Sequence, residues 1–158
     1  MNNYNGYSGL EREEKLRALH RLKRAGEFPS PPNACMLCGD PNVVLEPHSE
    51  DYSKPFLWTA SAMYWLCRHC HRDKLHKRFA RPDAWRAFLV HVRCGGYGSD
   101  LKVSETKREL DKATKAIAAG KIPTVATLRP RDLEGQQWWE RLTLDPLSLC
   151  SPQARPRH

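Results

Sequence analysis

No run of eighteen apolar residues occurs anywhere in the 158. That excludes a membrane-spanning helix, which needs about twenty. The opening stretch, MNNYNGYSGLEREEKLRALHRLKR, is polar and lacks the apolar centre of a secretion signal. The expectation is a cytoplasmic protein that makes no membrane contact. Apolar side chains are also scarce: they make up 40% of the chain, and the mean hydropathy is −0.70. Any core is therefore modest, and the length suits one small domain with extensions. No internal repeat is visible.

Cysteine, by contrast, is plentiful. Four of the six cysteines form two C-x-x-C pairs, Cys35/Cys38 and Cys67/Cys70. In a chain with no export signal that spacing favours metal over disulfide. Two residues between thiolates let one tight turn present both sulfurs to one ion, and two such pairs complete a tetrahedral zinc shell. Residues 39 to 66 separate the pairs, so the segment between them must be a structured insertion. Such a site is closed and structural. In a module this small it supplies much of the folding free energy. Cys94 and Cys150 remain as ordinary thiols.

Charge is unevenly spread. The formal net charge is +8, and residues 67 to 93 carry eight Lys/Arg against two Asp/Glu, whereas residues 31 to 66 carry one against four. A basic segment beside the second cysteine pair points to a polyanion partner, with a solvated helix face as the alternative.

Local signals set the organisation. Ser8 and Glu11 form a capping box, Leu10, Leu16, Leu19 and Leu22 follow at roughly helical spacing, and Gly26 closes that helix. FPSPPN reads as a rigid linker. VVLEPH and MYWLC are β-prone, and RHCHRDKLHKRF reads as a helix with its cysteines at the entrance. Pro82 suits a first helical position, and Trp85, Phe88, Leu89 and Val92 line one face up to Arg93. Ser104 is expected to cap a helix over roughly 105–119, with a thin stripe of Leu110, Ala113 and Ile117 and a stop at Gly120. A last short helix carries Trp138 and Trp139, which as neighbours cannot both point fully inward. From about Leu149 the composition reads as disordered. The domain reading is an N-terminal helical arm over 1–30, a zinc-bound module with its following helix over 31–94, and a C-terminal helical extension with a disordered end over 95–158.

In order along the chain stand Cys35, Cys38, HSEDYSKP from His48, and YWLCRHCH through Cys67, Cys70 and His71. This run, roughly residues 33 to 79, resembles the zinc-bound HNH endonucleases of phage and mobile elements. Their pattern is C-x-x-C, then H-H-E-D-Y-S-K-P, then W-L-C-x-x-C-H and a later His. The resemblance implies an α+β fold, mostly helical, in which a small zinc-clamped ββα-metal module carries helical extensions at both ends. It implies one divalent ion, Mg²⁺ or Mn²⁺, against the scissile phosphate, and a His that takes a proton from the attacking water. Carried over by position, His48, His71 and His76 are candidate ligands of that ion. His48, Ser49 and His71 are the candidate catalytic positions. Arg68, Arg72, Lys74, Lys77 and Arg78 are candidate phosphate contacts, with DNA the expected nucleic acid.

Two departures stand out. Ser49 occupies the position of the family's general base, and a hydroxyl does not do that work at neutral pH without help. The repairs are His48 acting as base with Asp51 or Glu50 joining the metal, His69 swinging in, or a silent site. His71 and His76 are also five residues apart, which on a regular helix puts them on different faces unless His71 lies just before the helix begins. Three functions follow: a DNA-cutting HNH endonuclease, a silent HNH-derived module that binds nucleic acid or a protein partner through its C-terminal extension, or a plain structural zinc protein.

Overall fold

The computed structural model describes residues 1–145. Cys150 and the stretch from Leu149 lie outside them. Among the described residues the fold is α+β. Helix α1 spans Gly9–Ala25, strand β1 Leu45–His48, strand β2 Tyr64–Cys67, helix α2 Pro82–Arg93 and helix α3 Ser104–Ala118. A π-helical segment over His69–Lys74 follows β2, and short 3₁₀ turns cover Leu75–Lys77, Gly98–Lys102 and Trp138–Arg141. The two strands form an antiparallel pair. No helix among the described residues is long and apolar enough to cross a membrane.

Contacts divide these residues into two compact units. The first joins Met1–Pro31 to Pro47–Tyr64, and the second joins Pro32–Glu46 to Trp65–Leu144.

In the first unit α1 starts and stops where its sequence dictates. The Ser8 hydroxyl accepts from the Glu11 N–H while the Glu11 carboxylate accepts from the Ser8 N–H, and Gly26 closes the helix in the left-handed region at φ 73°. The buried face is not the leucine stripe. Leu10 and Leu16 are exposed, and Leu19 is buried together with Lys15. The reason is polar. The 49–51 turn offers Lys15 oxygen acceptors, and the rings of Tyr52 and Trp58 lie 5.5 and 4.7 Å from its Nζ. The Trp58 indole N–H donates to the Lys15 carbonyl at 3.0 Å, fixing the helix at the same point. Asp51 shapes the turn by accepting from the Ser53 N–H at 2.8 Å, and Tyr52 is buried.

The second unit is built around α2 and α3. Trp85, Phe88 and Val92 are buried on α2 as their spacing predicts, with Ala87 added and Leu89 half-buried. On α3, Leu110 and Ala113 are buried and Ile117 only partly so. Ser104 is the first helical residue rather than the cap; Val103 stands at the cap in extended conformation, with no side-chain cap bond. Beyond α3 the chain returns to the start of the unit. The Arg129 guanidinium pairs with both Asp100 oxygens at 2.9 and 3.0 Å. The Trp138 indole donates to the Met36 carbonyl at 3.0 Å, while Trp139 is buried against it at right angles.

Candidate metal centre

The first C-x-x-C pair sits in a tight knuckle. The Gly39 N–H donates to the Cys35 carbonyl at 2.8 Å and the Cys35 N–H to the Asp40 carbonyl at 3.0 Å. Gly39 turns the chain at φ 79°, a region side-chain-bearing residues avoid. The knuckle docks on β2: the Met36 N–H donates to the Trp65 carbonyl at 2.9 Å, and the Cys67 N–H donates to the Cys35 sulfur at 3.3 Å. Cys67 ends β2, and Cys70 is the second residue of the π-helical segment.

All four cysteines are buried, and their sulfurs lie within 4.8 Å of one another. A tetrahedron of 2.3 Å metal–sulfur bonds has edges of about 3.8 Å, so the donor set can hold a metal such as zinc. None of the four is in a disulfide. Their proximity couples their protons. Hydrogen bonding from Cys38, then Cys67 and Cys70, drives the Cys35 thiol far down, while burial first and its sulfur neighbours second drive Cys70 far up. An ion that replaces those protons removes the conflict.

Two features around the sulfurs were not read from the sequence. Gly98 lies directly over them: a Cβ there would sit 3.0 Å from the sulfurs of Cys67 and Cys70. Arg131 reaches back to the knuckle, donating to the carbonyls of Leu37 at 2.7 Å and Cys38 at 3.0 Å and of Val92 at 3.2 Å. Burial pulls its pKa down, opposed by the nearby cysteines. In the sequence the glycines of CGGYGSD signal only a break after the preceding helix, and a single arginine so far along the chain carries no signal.

The segment after Cys70 is not a regular helix. The Leu75 N–H donates to the carbonyl of Cys70, five residues back, as well as to that of His71. This i→i+5 register brings residues five apart onto one side, and the rings of His71 and His76 meet edge to face with centroids 4.4 Å apart. The expectation that the spacing would part them assumed α geometry, and it does not hold. The His71 Nδ1 is 2.8 Å from Glu46 Oε2, and Glu46 also holds Arg72 at 2.7 Å. A carboxylate on one ring nitrogen is the arrangement usual behind metal-ligating histidines. Burial pushes the Glu46 carboxyl up, but His71 and Arg72 outweigh it and hold it below the usual range.

In the first unit, His48 ends β1, is buried, and has its Nε2 2.6 Å from Glu50 Oε1. Glu50 is itself anchored by the Tyr4 hydroxyl at 2.8 Å and the Asn5 amide at 3.1 Å. Ser49 is buried too. Its hydroxyl accepts from Lys15 Nζ at 2.7 Å and lies 3.0 and 3.2 Å from the carbonyls of Asp51 and Ala62. His69 is paired with Asp73 at 3.0 Å.

Of the candidate phosphate contacts, Arg68, Arg72 and Lys77 are exposed and Lys74 is half-buried. Arg78 corrects the sequence reading. It is fully buried and donates to the carbonyls of Leu75 at 3.2 Å and Thr143 at 2.9 Å, so it acts as an internal staple.

In comparisons with family models, curated proteins and solved structures, nothing matches this chain.

Proposed function

We propose that this chain is a zinc-clamped HNH-like module of ββα-metal type that hydrolyses DNA phosphodiester bonds with the help of a divalent ion. The observation that carries the reading is the run from Cys70 to His76. There, a cysteine of the buried four-sulfur cluster leads directly into a paired His71 and His76, with Glu46 bonded to the His71 ring. In this reading zinc in the sulfur cluster holds the module together. His71 and His76 serve the second ion, which would stabilise the charge developing on the leaving oxygen. Imidazole donors suit a first-row transition ion better than Mg²⁺. Ser49 does not act as base, since its hydroxyl is already engaged by Lys15. That work falls to His48, whose ring Glu50 orients.

The test is nicking of supercoiled plasmid by the zinc-loaded chain with Mg²⁺, Mn²⁺ or Ni²⁺. Nicking that stops with EDTA and in His48→Ala and His71→Ala supports the nuclease. No nicking with any of the three ions removes it.

One observation favours a second reading, a module that binds nucleic acid without cutting it. The position of the family's base has become a buried polar plug, hydrogen-bonded on several sides. A DNA mobility shift without cleavage, weakening steeply with salt, supports that reading.

A further inference from the structure

The second unit holds a cavity of about 370 Å³ between the segment that follows Cys70 and the start of α3. Its floor is apolar, made by Trp85 and Leu101, both buried. Its walls are cationic. Lys74, Lys77 and Arg81 line one side, and Lys102 and Lys107 line the other. The one carboxylate in the lining, Asp73, is engaged by His69 at 3.0 Å.

Five arginines of the same unit outside the cavity are paired, whereas Lys112, Lys115 and Lys121, like the cations of the cavity, have no ion pair among the described residues. Arg72, Arg86, Arg93, Arg108 and Arg129 each have a carboxylate partner: Glu46, Asp83, Glu140, Glu105 and Asp100 respectively. Among the described residues, none of the five cations around the cavity has a carboxylate oxygen within ion-pair distance, while Asp111 and Asp73 act on Lys74 from farther off. Five positive side chains lining one concavity repel one another, and a low-dielectric floor of tryptophan and leucine concentrates their field. An anion seated among them relieves that repulsion. The flexible ammonium stems suit phosphate oxygens spaced along a strand, contacts that position a nucleic acid without reading its sequence.

We infer that this cavity is a phosphodiester-binding cleft and that Lys102 and Lys107, from beyond the motif-bearing segment, form its second wall. The inference deepens the nucleic-acid reading above and rests on it. It gives the stretch after α2 a function: it supplies half of the strand's seat.

The experiment measures binding of labelled duplex and single-stranded oligonucleotides to the metal-loaded full chain by fluorescence anisotropy, across a salt series. The double variant Lys102→Gln/Lys107→Gln is compared with Lys112→Gln/Lys115→Gln, which removes the same charge from exposed α3 positions outside the cavity lining. The expected result is at least about tenfold weaker binding at 0.1 M salt for the cavity variant. The slope of log K against log salt should fall by roughly two for duplex DNA, and the control should change little. Equal weakening by both variants, or none by either, overturns the cleft. If plasmid is nicked in a His71-dependent way while the cavity variant binds as wild type does, the cleft fails and the nuclease stands. No oligonucleotide binding by wild type, with inorganic pyrophosphate bound instead, assigns the cavity to a free phosphate and overturns both.

Discussion

Lys15 Nζ donates a hydrogen bond to Ser49 Oγ at 2.7 Å, joining helix α1 to the buried turn that follows β1. A serine is short enough to leave room for an ammonium, and the ammonium satisfies the buried hydroxyl. The short serine and the buried lysine are two halves of one arrangement.

Burial pulls the Lys15 pKa down to about 8 against a partial pull upward from Asp51. A lysine depressed in the folded state destabilises it below that pH, where both states are protonated. The penalty lifts as pH rises from about 8 to about 10.5, because the unfolded chain then binds more protons. Relative to Lys15→Met, wild type should therefore gain up to roughly 3 kcal/mol between pH 7 and pH 10.5. Urea midpoints of the two proteins at both pH values check this. A pH-independent difference would show that folding does not lower the Lys15 pKa.

One zinc per chain is expected on metal analysis of pure protein. Structural zinc contributes about 10–16 kcal/mol in small modules, as much as the whole stability of an ordinary domain. Chelation, or Cys70→Ala, should abolish cooperative unfolding of the second unit, read by near-UV circular dichroism. A chain that stays folded and metal-free is incompatible with the clasp.

Gly98→Ala should loosen metal without unfolding the chain. Its new methyl would press on the Cys67 and Cys70 sulfurs at 3.0 Å, and overpacking of this kind costs about 1–3 kcal/mol. Competition against a chromophoric chelator should show roughly tenfold or greater loss of zinc affinity. Unchanged affinity means the turn over the sulfurs yields freely.

Glu46→Gln separates an oriented ligand from an ordinary surface pair. If His71 binds an ion, loss of the carboxylate on its Nδ1 should weaken Mn²⁺ or Ni²⁺ binding by about 10–100-fold, measured by calorimetry with the sulfur site zinc-filled. An affinity equal to wild type would remove His71 from the ligand set.

What could be read from the sequence was what neighbours in the chain decide. The Ser8–Glu11 box, the Gly26 stop, the α2 boundaries and the Cys35/Cys38 knuckle are set within a few residues, and each stands as its pattern predicts. The four-sulfur cluster was legible because two identical spacings imply each other. Distant partners left no trace. Nothing near Lys15 announces the acceptors at 49 and 51, so the leucine spacing of α1 did not reveal which face is buried. Arg131 and Gly98 act on a knuckle far back in sequence. Arg78 looked like one more surface cation until Thr143 came to meet it.

The widened turn between Cys70 and Leu75 also bears on how such chains are compared. A helix that takes one extra residue into a turn can keep two imidazoles side by side while the count between them grows from four to five. Residue number and spatial neighbourhood are thus uncoupled at the place where a pattern search relies on them most. Two imidazoles five positions apart can thus share one side of a turn that an α-helix would deny them.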